Sequence, residues 1–305
     1  MRQYAGEEDY SAVRGFLREV MLANGLRELS WHVARLDYWR WHGSMNCGDL
    51  GVKNIHIWEK NGEIISVLNP EGKCHAFIQM HPDHCCSDLY GEMLAVAENK
   101  LADMGMDGKR KVIVWSDSGD LGSHEVLLQR GYSKIDRPEV KEVQNRRDLD
   151  ADVPDVSVPE GYTVRNMAVM DDLPSRSWCS FKAFHPQDPE ENYNGWAWYR
   201  NIRAAPLYNM ELDIVAIDEN REIVSFCTVW YDNVTRTAYF EPVGTHPDYQ
   251  RKGLGKACLT EGLRRLKKLG CKRAFVSGHS VPAIGLYKSA GFLENDVSES
   301  WEKFL

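Results

Sequence analysis

Two stretches of this chain carry the same ordered series of local signals, so the fold has to accommodate one unit built twice. In the later stretch, residues 212–217 read as a strand, 218–221 as a turn and 222–230 as a returning strand. Residues 237–245 give a third strand. Leu254, Leu259, Leu263, Leu266 and Leu269 then recur at close to helical spacing. Residues 273–277 form a short buried strand, and 282–290 a helix that Gly291 stops. The earlier stretch answers with strands at 55–58 and 64–68 around Asn61-Gly62, the strongest short hairpin signal. A strand at 75–80, a helix at 89–104, a buried strand at 111–115 and a helix at 124–130 closed by Gly131 follow. His81-Pro82-Asp83 matches His246-Pro247-Asp248 at 247 − 82 = 165, and Gly131-Tyr132 matches Gly291-Phe292 at 291 − 131 = 160.

Between the copies, residues 141–159 read as a junction: 145–155 are charged and aperiodic, and Pro154 and Pro159 interrupt the stretch. The expected domains are 1–147 and 157–305, a natural division for 305 residues. With 43% hydrophobic and 27% charged residues the chain is of the globular class, and no apolar run of 18 residues is present to span a membrane. The first residues are acidic and lack an apolar core, unlike a secretory signal, so the expected location is cytoplasmic. A formal charge of −8 leaves no basic surplus for a nucleic-acid duplex and suits a cationic small substrate. Cysteines at 47, 74, 85, 86, 179, 227, 258 and 271 show no C-x-x-C spacing, and most of them read as small core residues.

The chemistry concentrates after the third strand of the later copy. There the chain runs Glu241-Pro242-Val243-Gly244-Thr245-His246-Pro247-Asp248-Tyr249-Gln250-Arg251-Lys252-Gly253-Leu254-Gly255-Lys256. A strand ending at Thr245 and a helix starting near Gly253 leave the turn's N–H groups unpaired and aimed outward, an anion site reinforced by the helix dipole. Gly253 and Gly255 let a phosphate approach the backbone, and Arg251, Lys252 and Lys256 add positive charge. Neither the dinucleotide spacing G-x-G-x-x-G nor the P-loop spacing G-x-x-x-x-G-K-[ST] is present. The plain alternative is a basic helix start whose glycines only pack closely.

These residues resemble the GNAT superfamily of acyl-CoA N-acyltransferases. Gln250-Arg251-Lys252-Gly253-Leu254-Gly255 fits that family's pyrophosphate loop Q/R-x-x-G-x-G/A. The stretch 280–292 fits its N-x-x-A-x-x-L-Y-x-x-x-G-F pattern through Ala283, Leu286, Tyr287, Gly291 and Phe292, with Ser280 in place of Asn. The resemblance covers residues 158–305 firmly and the first half as a degraded copy. It implies an α/β (α+β) architecture of two tandem domains, each a mixed, mostly antiparallel sheet flanked by helices. It also implies acetyl-CoA as co-substrate, with Val243, Gly244 and Thr245 pairing with the pantetheine arm. Amides of Gln250, Arg251, Lys252, Gly253, Leu254, Gly255 and Lys256 would hold the pyrophosphate, and Ser280 and Lys288 would flank the cofactor.

Tyr287 is then the candidate acid for the departing thiolate, against a plain packing role, and Glu241 the candidate base, against a solvated strand carboxylate. Tyr239, on the same strand face, is the fallback base. In the first copy Cys85, Cys86 and Asp88 stand where Gln250, Arg251 and Gly253 would, Tyr90 replaces Gly255 and Leu127 replaces Tyr287. That copy should not hold CoA in the family's manner, and reads as a scaffold. His81, His84, Cys85 and Cys86 could suggest zinc, but adjacent cysteines chelate poorly and no second knuckle follows, so no metal is expected. Trp31, Trp39, Trp41, Trp178, Trp196 and Trp198 lie in the early arm of each half, with Asp171, Asp172, Glu190 and Glu191 nearby in the second. They could cup an organic amine or simply pack. His185 and His279 read as ordinary histidines. The expected activity is acyl transfer to an amine of a small molecule by a monomer or homodimer; the rival is a non-catalytic acyl-CoA sensor.

Overall fold

The N-terminal half runs β1 (Arg2–Gln3), α1 (Glu7–Ala23), α2 (Val33–Tyr38), β2 (His56–Lys60), β3 (Glu63–Pro70), β4 (His75–Met80), α3 (Ser87–Lys100), β5 (Asp103–Met104), β6 (Arg110–Asp117), α4 (Leu121–Gln129), β7 (Ser133–Lys134) and β8 (Lys141–Asp148). The C-terminal half follows as β9 (Thr163–Asn166), α5 (Asp172–Phe184), α6 (Tyr199–Arg203), β10 (Asp213–Ile217), β11 (Ile223–Asp232), β12 (Thr237–Thr245), α7 (Leu254–Lys268), β13 (Arg273–Gly278), α8 (Val281–Ser289) and β14 (Leu293–Phe304). This computed structural model describes residues 1–46, 51–105, 107–137, 141–167 and 171–305, so Cys47 lies outside it.

The β2–β3 hairpin turns on Asn61 (φ 56°) and Gly62 (φ 86°), both left-handed as a type I′ turn requires. In the β10–β11 turn the Asp218 carboxylate accepts the amides of Asn220 and Glu222. Both halves then repeat details beyond the element order. Arg2 forks onto Asp9 (2.7 Å) and Arg165 onto Asp172 (2.7 Å), each tying the first strand to the first helix, at 165 − 2 = 163 and 172 − 9 = 163. His81 Nδ1 accepts the Asp83 amide (3.2 Å) and His246 Nδ1 that of Asp248 (3.3 Å), capping matching 3₁₀ turns.

One compact unit comprises Met1–Gln144, Gly278–Ser280 and Asn295–Leu305; the other comprises Asn145–Ser277 and Val281–Glu294. In the first, β1, β2, β3, β4, β6 and the β14 residues lie side by side, and β14 pairs antiparallel with β6 from Ser298↔Asp117 to Phe304↔Lys111. In the second, β9, β10, β11, β12, β13 and the end of β8 form the sheet; Asn145 Nδ2 donates to Val276 O, and the Leu149 amide to Lys272 O (2.8 Å). Residues 141–148, which read as the start of the junction, form a strand. The compact units also differ from 1–147 and 157–305, because each takes its closing strand residues from the other half of the sequence.

The N-terminal unit packs Leu68, Met93, Leu94, Val112, Val114 and Leu127 into its core. The C-terminal unit packs Ile214, Val229, Phe240, Leu259, Leu263 and Phe292. Burying such side chains stabilises each unit by roughly 1.5–3 kcal/mol apiece relative to exposure. Cys74, Cys179, Cys227, Cys258 and Cys271 are buried free thiols, as expected of core residues; Cys85 and Cys86 are exposed. No helix among the described residues is long and apolar enough to cross a membrane.

Candidate active site

Strand β12 builds the site. On one edge it pairs with β11; on the other it pairs in parallel with β13 only at Thr237↔Arg273, Ala238↔Ala274 and Tyr239↔Phe275. Opposite β11 the register moves from Val229↔Phe240 to Cys227↔Val243, so one extra residue bulges out of β12 around Glu241 and Pro242. A bulge bends and twists its strand, and here the bend carries residues 240–245 away from β13. The Trp230 indole N–H donates to Glu241 O and satisfies the carbonyl that the bulge displaces. Beyond Tyr239, then, β12 shows a main-chain edge to the opened wedge. Val243, Gly244 and Thr245 all lie on it.

Gly244 serves packing as well. A Cβ there would stand 2.4 Å from Phe226 Cζ and 3.1 Å from Ala183 Cβ, so only glycine lets α5 and Phe226 close over the strand. Ser225 Oγ lies 2.7 Å from Thr245 Oγ1 and donates to Gly244 O (3.0 Å), pinning the strand's end.

After the His246-capped turn, Gln250 Nε2 donates to Thr245 O (3.3 Å) and braces the loop. Arg251 (φ 63°) and Gly253 (φ 84°) take left-handed backbone, and α7 starts at Leu254 with no side-chain cap. Ala257 N–H reaches Gly253 O (3.0 Å), whereas the amides of Leu254, Gly255 and Lys256 open the helix, where no intrahelical acceptor exists. The dipole adds positive potential there. Arg251 and Lys256 are exposed beside these amides. Lys252 instead turns to an aromatic pair: its Nζ donates to Tyr162 Oη (3.2 Å) and sits 4.8 Å from the Tyr249 ring centre. Around Gly253 nothing lies within 4 Å of an added Cβ, which leaves open space at the helix start. Gly255 is buried, and a Cβ there would meet Leu286 at 3.2 Å and Thr245 Oγ1 at 3.4 Å. It seats α7 against β12 and α8.

That contact brings α8 and Tyr287 to the same end of the sheet. Tyr287 is 6% exposed and meets the Phe292 ring edge-on at 6.5 Å. Burial pushes its phenol well above the ordinary tyrosine value, with the negative charge of Glu241 next and Cys227 adding. It is therefore a protonated donor at neutral pH, within electrostatic reach of Glu241. Glu241 is half-buried on the bulge. Tyr239 is buried and its hydroxyl lies 2.5 Å from Ser277 Oγ, which engages the fallback base. Ser280 is exposed just before α8 and belongs to the N-terminal unit's residues; Lys288 is exposed and paired with Glu294 (3.1 Å).

One cluster escaped sequence reasoning. Arg176 on α5 is fully buried, 3.5 Å from the Phe226 ring centre, with Nε 3.7 Å from Asp213 Oδ1. Asp213 also accepts the hydroxyls of Tyr199, Tyr208 and Thr228. These bonds fasten α5, α6 and the approach to β10 onto the sheet beside β12. The available signal was a charge among the small and apolar residues of one face of α5, Leu173, Ser177, Cys179 and Ser180, all of them buried. In the first copy α3 starts after Cys86 in extended backbone (φ −150°), Asp88 occupies its first turn, and Tyr90 and Leu127 are buried in the core.

The acetyltransferase (GNAT) family model matches residues 170–292. Over its length the chain is similar to the mycothiol acetyltransferase of Geodermatophilus obscurus, 29% identical across 96% of this chain and 94% of that one. The mycothiol acetyltransferase of Streptomyces coelicolor is 24% identical across 81% and 78%. Among solved structures, a GCN5-related N-acetyltransferase from Sphaerobacter thermophilus shares the fold at a TM-score of 0.67, 16% identity, and 99% and 95% coverage. A tandem GNAT protein from the clavulanic acid biosynthesis pathway does so at 0.65, 14% identity, and 99% and 97% coverage. The splayed β12 and the uncapped α7 both lie within residues 170–292, so this part of the chain is a GNAT acetyltransferase domain, in a chain that shares its fold with a tandem GNAT protein.

Proposed function

We propose that the C-terminal unit binds acetyl-CoA along β12 and at the start of α7, and passes the acetyl group directly to the amine of a small molecule. The observation that carries this reading is the conjunction of a strand edge that β13 leaves uncovered over residues 243–245 with open helix-start amides at residues 254–256. The residues fit the co-substrate: amide-bearing pantetheine matches a strand edge, and a diphosphate matches N–H donors flanked by Arg251 and Lys256 with no Cβ at Gly253. Acetyl-CoA supplies an activated acyl thioester. Glu241 takes the proton that an ammonium acceptor must lose before it can attack, and Tyr287 gives one to the departing thiolate. Gln250 holds the loop, Lys252 anchors it through Tyr162 and Tyr249, and Ser280 and Lys288 are further candidate contacts of the co-substrate. The matching loop of the first copy, residues 84–90, takes no part in holding this co-substrate.

The named activity of the relatives makes an acceptor of the mycothiol type the first to test, in a cytoplasmic enzyme acting as monomer or homodimer. The test is calorimetric titration with acetyl-CoA, followed by a panel of amines, this type included, assayed for CoA release. Saturable binding with amine-dependent release is expected. Indifference to acetyl-CoA contradicts the reading.

A further inference from the structure

The N-terminal unit keeps the wedge but not the phosphate loop. Strands β4 and β6 pair only at His75↔Ile113, Ala76↔Val114 and Phe77↔Trp115, and then diverge. Within this unit, where they part, lies a cavity of about 660 Å³. Phe77, Ile78, Gln79 and Met80 border it in unbroken succession, as do Trp115, Ser116 and Asp117. Side chains alternate across a strand, so consecutive residues face one space only when the strand's edge borders it. At its other edge β4 is paired with β3 (Ser66↔Met80), and β6 with β14 (Ser298↔Asp117). The cavity therefore presents unpaired main chain to whatever enters it, at a volume usual for a small-molecule site.

Its charge is inverted relative to the acetyl-CoA loop. Residues 84–90 read His-Cys-Cys-Ser-Asp-Leu-Tyr, with no lysine, arginine or glycine. The wall's two arginines are already spoken for: Arg35 lies 3.1 Å from Glu142 and 3.7 Å from Glu28, and Arg27 lies 2.5 Å from Asp296. Asp117 and Asp120 instead accept from neutral groups, Asp117 from the Gly119 amide (2.9 Å) and Asp120 from the amide and hydroxyl of Ser123 (3.0 and 2.5 Å). Burial raises the Asp117 carboxyl above its usual range, with repulsion from Asp296 and Asp120 adding and the Gly119 amide and Arg27 opposing. An ammonium group would relieve that repulsion, and a diphosphate would worsen it.

We infer that the N-terminal unit binds an extended, amide-bearing organic cation, such as a short basic peptide presents, with its main chain added along the β4 edge and its charged end at Asp117 and Asp120. This site is independent of the acetyl-CoA reading and stands if that reading fails.

Cys85 and Cys86 line the same cavity and are exposed free thiols, so their alkylation by iodoacetamide, followed by peptide mass spectrometry on the full-length protein, reports occupancy. N-acetyl-lysyl-alanyl-alanine amide, whose one cation is the lysine side chain, is expected to slow alkylation saturably. Its glutamyl counterpart should bind at least about tenfold more weakly, since an ionised partner strengthens a hydrogen bond and a like charge opposes it. An analogue N-methylated at both alanines keeps the charge and loses the strand-pairing donors, and should not protect. Asp117→Asn with Asp120→Asn should abolish protection. The inference is overturned if the lysyl peptide gives no protection, if the glutamyl peptide protects equally, or if acetyl-CoA shields these thiols as well as the lysyl peptide does.

Discussion

At the scale of single residues, the account rests on one phenol and two glycines that do different work. Because Tyr287 is buried beside a carboxylate, its acid form persists to higher pH than a free tyrosine's. Its acidic service is present below the folded-state pKa and lost only above it. The kcat profile should therefore show no alkaline fall from this group near the ordinary tyrosine value of about 10. Tyr287→Phe should lower kcat by about 10²-fold or more while the acetyl-CoA Kd moves little; an unchanged kcat removes Tyr287 from the chemistry. Gly253 and Gly255 both looked like phosphate glycines in sequence, yet only Gly253 has open space around it, whereas Gly255 packs on Leu286 and Thr245. Gly253→Asn, which tolerates left-handed backbone, should keep the fold and weaken acetyl-CoA binding. Gly255→Ala should lower the melting temperature in the absence of any ligand. The reverse pattern would exchange their roles.

Among elements, legibility followed hydrophobic pattern. The hairpins, α7 and α8 showed themselves through alternation, Asn61-Gly62 and leucine spacing. Strands β8 and β14 did not, because the residues they bury are largely polar and are satisfied by partners far away in sequence. In β14, Asp296 pairs with Arg27, Glu299 with Lys134 and Glu302 with Lys111. In β8, Glu142 pairs with Arg35, and Arg147 donates to Ala290 O. Such strands read as polar linkers until their partners are placed. The candidate loop at residues 250–256 was legible because the binding of a phosphate by backbone amides, the role proposed for it, needs glycine where a Cβ would intrude. The Arg176–Asp213 cluster was not, since only tertiary structure pairs those charges. Asp213→Ala leaves the buried Arg176 without its counter-ion and should cost about 3–5 kcal/mol in chemical denaturation; a loss near zero would mean that the cluster does not hold α5.

For the whole molecule, duplication followed by exchange of closing strands governs what can be separated. The C-terminal unit needs residues 145–148, while residues 295–305 belong to the other unit. A fragment of residues 157–305 would carry an unpaired β13 edge and a displaced strand, and should be insoluble or molten when expressed alone. A fragment that unfolds cooperatively would contradict the exchange. The two copies have also diverged where chemistry demands: the later one keeps glycines, cations and a tyrosine at the wedge, and the earlier one keeps the wedge alone. The central claim is that bare peptide amides at the start of α7 and along β12 hold the co-substrate. Hydrogen exchange of the full-length protein with and without acetyl-CoA measures those amides themselves. The account predicts slowed exchange within residues 240–245 and 251–256 and none within 81–90; protection confined to 81–90, or absent from both, would contradict it.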